Sequence, residues 1–250
     1  MKKTLIGALV ALSFVSFAQA QEVRVAVAAN FTAPMKDIAP VYEKATGDKL
    51  TVSFGSTGAF YAQIKNGAPF DVFLAADAKT PKKAVAEGYA VEGTEFTYAM
   101  GKLIVWSPDE KLMTDEKSLL SDKIKKIAVA NPKLAPYGEA SYQTMEGLGI
   151  LKKLEPKFVM GDNIGKTFQF VRTNNAQAGF VALSQVYKDG KLQGGSGWEV
   201  PTSLYQPIRQ DAVLLNVGKD NEGAKRFLEF IRTNPEAARI RAAYGYGAPE

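Results

Sequence analysis

The chain has 250 residues, with 31 Lys and Arg against 26 Asp and Glu, and contains neither His nor Cys. Those two absences remove Ser-His-Asp and Cys-His catalysis, the usual zinc and copper sites, and any disulfide staple. The net charge of +5 is scattered in pairs such as Lys82-Lys83, Lys125-Lys126 and Lys152-Lys153. A nucleic acid would need a dense basic stripe with aromatics, so no nucleic-acid partner is expected.

Lys2 and Lys3, the apolar run Leu5 to Phe17 and the small-residue site Ala18-Gln19-Ala20 have the layout of a secretory signal peptide over residues 1–20. The apolar run is too short to span a bilayer. No later segment is long and apolar enough to cross one, so a soluble, exported chain is expected. Its remaining residues suffice for one large or two small domains.

Val23 to Ala28 reads as a buried strand. Ala33 to Ala45 places Met35, Ile38 and Tyr42 at helical spacing, with a kink expected at Pro40 and a stop at Thr46-Gly47. Leu50 to Phe54 alternates as a strand, Ala59 to Lys65 is a short helix, Asp71 to Ala75 a strand, and Pro81 to Glu87 a helix ended by Gly88. Further strands are expected at Leu103 to Trp106, Ile127 to Ala130, Phe158 to Met160, Phe180 to Ala182 and Ala212 to Leu215. Helices are expected at Glu139 to Leu148, Ile164 to Thr173, Leu183 to Lys188, Glu222 to Arg232 and Glu236 to Ala243. Lys188 to Pro201, with four glycines, reads as an extended loop. Alternation of this kind argues for α/β architecture, with mostly parallel sheets covered by helices.

Four loops share one design: Ala28 to Thr32, Gly55 to Gly58, Ala135 to Gly138 and Asp162 to Gly165. Each follows a strand, opens a helix, and consists largely of small or hydrogen-bonding residues. A helix start holds backbone N–H groups without helical partners and the positive end of the peptide dipoles, so it binds anions without a charged side chain. In open α/β sheets such loops lie at the carboxyl ends of the strands, where ligands bind. Taken singly, each loop is an ordinary cap or turn.

Taken together and in order, V-A-A-N-F-T, F-G-S-T-G, G-A-P-F-D-V-F-L-A-A-D, Y-A-M-G-K-L-I-V-W, N-P-K-L-A-P-Y-G, D-N-I-G-K and G-F-V-A-L-S resemble the periplasmic molybdate-binding proteins, the substrate-binding components of molybdate ABC transporters. The resemblance runs over nearly all of the chain after residue 20. It implies a type II periplasmic-binding-protein fold. Lobe 1 would comprise residues 21–99 and 206–250, and lobe 2 residues 100–205, with the ligand clamped in the cleft between them. It implies oxyanion ligands at Asn30, Ser56 and Thr57, backbone donors at Tyr137 and Ile164, and a further backbone donor at Ala29. Tyr137→Phe should then do little. Where some members place a ligand-binding Tyr hydroxyl, this chain has Ala182. The implied protein is a monomeric periplasmic binder of molybdate or tungstate. It would have no cofactor and no catalytic activity, and its partner would be an ABC permease in the inner membrane.

The residues favour a fully deprotonated dianion. A hydrogen phosphate site wants a carboxylate acceptor, and the nearest acids, Asp162 and Glu139, read as first-turn acids favoured by the dipole. Sulfate has the same charge and stays open. Ferric iron would want oxygen anions and often His; an amino acid would want an Arg and an acid facing each other across the cleft, whereas Arg172 and Arg209 read as surface or hinge residues. A hydrolase using Ser56 is the reading from another class, and no base is placed beside it. Hinges are expected near Tyr98 to Lys102 and Tyr205 to Gln210.

Overall fold

The computed structural model describes residues 20–248; apart from Ala20, the expected signal peptide lies outside the described residues. The chain runs through β1 (Glu22–Ala28), α1 (Thr32–Thr46), β2 (Lys49–Gly55), α2 (Thr57–Lys65), β3 (Val72–Leu74), α3 (Lys79–Ala86) and β4 (Phe96–Gly101). It continues through β5 (Leu103–Ser107), β6 (Ile127–Ala130), α4 (Pro136–Gly147), α5 (Leu151–Leu154), β7 (Phe158–Gly161), α6 (Ile164–Arg172) and β8 (Ala178–Ala182). The last elements are β9 (Tyr187–Lys188), β10 (Lys191–Leu192), β11 (Ser196–Glu199), β12 (Ile208–Leu214), α7 (Glu222–Thr233) and α8 (Pro235–Ala243).

Two five-stranded sheets form, in the orders β2-β1-β3-β12-β4 and β11-β5-β8-β6-β7. Each has a parallel core: β1 lies between β2 and β3, and β6 between β7 and β8. Antiparallel strands complete each sheet, β12 and β4 in the first and β5 and β11 in the second. The chain passes from the first sheet to the second at Lys102 and returns between Val200 and Ile208. Two lobes result.

Period-two alternation sends residues to opposite faces of each sheet. Val23, Val25 and Val27 of β1 pack with Met35, Ile38, Phe227 and Ile231, beneath α1, α7 and α8. Ala26 faces the other way, with Phe60, Ile64 and Ala84 of α2 and α3. In the second lobe, Leu103 and Val105 join Tyr137, Ala140 and Met145 of α4, whereas Ile104 and Trp106 join Val171 of α6. Helices therefore cover both faces of both sheets. Each fully buried large aliphatic or aromatic side chain contributes roughly 1.5–3 kcal/mol relative to exposure, and this burial holds the strand ends in place.

Two segments differ from the sequence reading, and β4 and α5 are elements it did not contain. Leu183 to Lys188 is not a helix: a single 3₁₀ turn at Leu183–Gln185 leads into β9. The Gln185 side chain turns back, accepting from the Ala182 N–H at 2.9 Å and donating to the Ile164 carbonyl at 3.0 Å. The stretch expected as a loop contains the β9-β10 hairpin and β11, which pairs with β5. Tyr98 to Gly101 is part of β4, paired with β12. Pro40 lies within α1, which runs unbroken from Thr32 to Thr46. No helix of the described residues is long and apolar enough to cross a membrane.

Candidate functional site

Each of the four small-residue loops joins a strand end to a helix start. β1 passes through a 3₁₀ turn at Ala29–Phe31 into α1, β2 leads into α2, β6 reaches α4, and β7 leads into α6. The caps are local. Ser56 Oγ accepts from the Ala59 N–H at 3.3 Å, and Asn163 Oδ1 accepts from the Lys166 N–H at 2.9 Å. Pro136 takes the first position of α4, where no N–H is needed. Thr57, Tyr137 and Ile164 lie in the first turns, so their N–H groups have no acceptor within their own helices and sit at the positive ends of the dipoles.

Ala29, Asn30, Ser56, Thr57, Tyr137 and Ile164 line one cavity between the lobes, together with Ala28, Gly55, Ala76, Ala135 and Pro136. The structure thus brings together all six residues singled out from the sequence. All six are buried.

No residue lining this cavity carries a charge. Glu139 turns outward to Lys79, at 2.7 Å, and Asp162 lies 3.7 Å from Lys166. Among the described residues, Ser56 and Thr57 use only their acceptor capacity: Ser56 Oγ caps α2, and Thr57 Oγ1 accepts from the Ala76 N–H at 3.0 Å. Each hydroxyl proton is left for another acceptor. Among the described residues, no cluster of three acids could hold a metal cation. The chemistry on offer is donation of hydrogen bonds by neutral groups to a small anion.

The Tyr137 phenol is buried and accepts from Gln210 Nε2 at 3.0 Å. Burial raises the Tyr98, Tyr137 and Tyr246 hydroxyls above their ordinary pKa, so all three stay neutral phenols. Gln210, Tyr98, Tyr246 and Ser184 form a buried polar cluster around Asn30 that the sequence reading missed. The available signal was Gln210 itself, a polar residue in a strand otherwise buried at Ile208 and from Ala212 to Leu214.

Beside the cavity, between α1 and α6, opens a groove of about 570 Å³ that shares Ala29 and Asn30 with it. Lys36 and Arg172 line this groove, and no acid does.

A family model of bacterial extracellular solute-binding proteins matches residues 23–247. The chain is 56% identical over 231 residues to the molybdate-binding protein ModA of Azotobacter vinelandii, covering 92% of this chain and 91% of the relative. It is 52% identical over 229 residues to the molybdate-binding protein ModA of Rhodobacter capsulatus, covering 92% and 89%. The solved structure of the Azotobacter vinelandii periplasmic molybdate-binding protein matches with a TM-score of 0.87 at 37% identity, covering 91% of this chain and 100% of the other.

Proposed function

The chain belongs to the bacterial extracellular solute-binding proteins, in their molybdate-binding branch, and from that premise we propose that its cavity captures one molybdate ion, or tungstate, for delivery to an ABC importer. The observation that carries this reading is the cavity lining: helix starts from both lobes and no charged side chain. A doubly negative ion needs many donors and no proton acceptor, and this wall supplies neutral donors without a carboxylate.

The donor set we propose is Asn30, Ser56 and Thr57 from the first lobe and the backbone N–H groups of Tyr137 and Ile164 from the second, with the Ala29 N–H beside them. Closure about the crossings at Lys102 and near 200–207 removes the ion from water, which strengthens every hydrogen bond to it. The moving bodies would be the lobe built on β1 to β4 and β12 and the lobe built on β5 to β11, which moves the first boundary from 99/100 to Lys102, after β4. The protein would work as a periplasmic monomer, exported by residues 1–20, with the closed form presented to the permease. A hydrolytic role for Ser56 finds no support: among the described residues its Oγ hydrogen-bonds to the cap N–H of Ala59 and to no base.

Thermal unfolding with a panel of oxyanions, run beside an ester-hydrolysis assay, tests the proposal. Saturable stabilisation by molybdate and tungstate without turnover is expected. No stabilisation by either anion, or turnover abolished in Ser56→Ala, would overturn it.

A further inference from the structure

Behind the cavity, the Gln210 side chain of β12 connects the donor loops of the two lobes. Its Nε2 donates to the Tyr137 hydroxyl at 3.0 Å, and its Oε1 accepts from Asn30 Nδ2 at 2.8 Å and from the Tyr98 hydroxyl at 3.0 Å. Asn30 Nδ2 donates its second proton to the Tyr246 hydroxyl at 2.8 Å. Both protons of that amide are spent, while Asn30 Oδ1 is buried without a partner. Gln210 and Tyr246 do not line the cavity, whereas Asn30 does. The end of the amide left over is therefore a bare acceptor, which costs its full desolvation and repels an anion.

The two ends of a carboxamide have nearly the same shape. Turning the Asn30 and Gln210 amides over together keeps every heavy-atom distance and reassigns each bond. Gln210 Nε2 then donates to Asn30 Oδ1 and to the Tyr98 oxygen, and the Tyr246 hydroxyl turns its proton from Ser184 Oγ and the Asn30 carbonyl to Asn30 Oδ1, leaving that carbonyl to the Ser184 hydroxyl at 2.8 Å. The Tyr137 hydroxyl donates to Gln210 Oε1, and the Tyr98 hydroxyl donates to the Ala75 carbonyl, 3.0 Å away. No acceptor is left bare, and Asn30 Nδ2 replaces the orphaned oxygen with a free donor. Turning over either amide alone would set two acceptors, or two donors, 2.8 Å apart.

We propose that Gln210 is a positioning residue that sets the orientation of the Asn30 amide and holds it in the paired arrangement in which Asn30 donates to the anion. This rests on the oxyanion-binding function proposed above. Gln210 acts on specificity without touching the ligand. An N–H end favours an ion with no proton to give away, whereas an oxygen end would favour a protonated one such as hydrogen phosphate. The Tyr137 hydroxyl that Gln210 Oε1 needs comes from the other lobe, so the donating arrangement is complete only when the lobes are closed.

The test is calorimetric titration of molybdate and of phosphate into the wild type, Asn30→Ala, Gln210→Met and the double variant. Gln210→Met should weaken molybdate binding on the order of tenfold, much as Asn30→Ala does, and narrow the preference over phosphate. The double variant should bind no worse than Asn30→Ala alone, because the two residues act as one unit. Additive losses, or a Gln210→Met protein that binds as the wild type does, would overturn the proposal. If Gln210→Met folds poorly, the ¹⁵N side-chain signal of Asn30 in the wild type decides: it should shift and exchange more slowly with solvent at saturation, and an unchanged signal counts against the proposal. Wild-type protein that takes up no oxyanion overturns the binding function itself; wild type that binds, with additive losses in the variants, overturns only the role of Gln210.

Discussion

Gly58 donates its backbone N–H to the Leu134 carbonyl at 2.9 Å, tying one lobe to the other next to the cavity. Gly58 follows Thr57 and Leu134 precedes Ala135, so the bond lies one residue from the cavity wall on each side. A Cβ at position 58 would come within 3.1 Å of Leu134 Cα and 3.2 Å of its carbonyl oxygen. Gly58→Val should hold the lobes apart and weaken molybdate binding by roughly tenfold. Small-angle scattering should show less compaction on adding the anion than in the wild type; equal compaction with equal affinity would refute this.

Thr57→Val removes a hydroxyl donor and strands the Ala76 N–H that Thr57 Oγ1 accepts. Asn30→Ala removes an amide from the wall. Each should cost about 1.5–3 kcal/mol of binding, the range for hydrogen bonds to charged groups, measured by calorimetry.

Tyr137→Phe was expected from sequence to be silent, on the view that only the backbone of Tyr137 meets the ligand. The structure gives the phenol its own work, because it pairs with Gln210 in the interior. The variant should lose roughly 1–3 kcal/mol of stability in chemical denaturation and bind molybdate more weakly. Wild-type behaviour in both assays would show that the hydroxyl is idle.

Lys36 and Arg172 border a groove that adjoins the cavity and has no acid in its wall. Such a cleft focuses potential on an approaching anion. Lys36→Gln with Arg172→Gln should slow association several-fold at low ionic strength and leave dissociation unchanged. Stopped-flow binding should show the difference fading as salt is added.

Asp48 is buried and accepts from Arg226 at 2.7 and 3.0 Å, from the Tyr42 hydroxyl at 2.6 Å and from the Gln21 N–H at 2.9 Å. Burial alone would raise its pKa, but the hydrogen bonds from Arg226, Tyr42 and Gln21, with the Arg226 charge, hold the carboxyl down at about 2. A depressed carboxyl stabilises the fold above its unfolded pKa, and that contribution is lost as pH falls through the folded value. The wild type should therefore lose about 2 kcal/mol from this group between roughly pH 4 and pH 2. Asp48→Asn should be less stable at neutral pH, with a shallower acid limb in denaturant melts.

The strands and helices that position the cavity could be read because their signals are local. Val23 to Val27 and Ile127 to Ala130 are apolar runs, and Ser56 and Asn163 are N-caps before periodic segments. All six cavity residues lie at such junctions. The segment from Leu183 to Glu199 was misread because its structure comes from partners distant in sequence: β11 exists by pairing with β5, and the Gln185 side chain holds the end of β8. The polar cluster was hidden for the same reason. Gln210 meets Asn30, Tyr98 and Tyr137 across 180, 112 and 73 residues of chain, and no periodicity encodes that meeting.

Whether neutral donors from both lobes hold one doubly negative tetrahedral ion is read from calorimetric titration of the intact protein with molybdate, tungstate and sulfate. One molybdate or tungstate should bind per chain, with affinity that falls in Thr57→Val. A flat titration with molybdate and tungstate, or saturable binding that leaves Asn30→Ala and Thr57→Val unaffected, would contradict it.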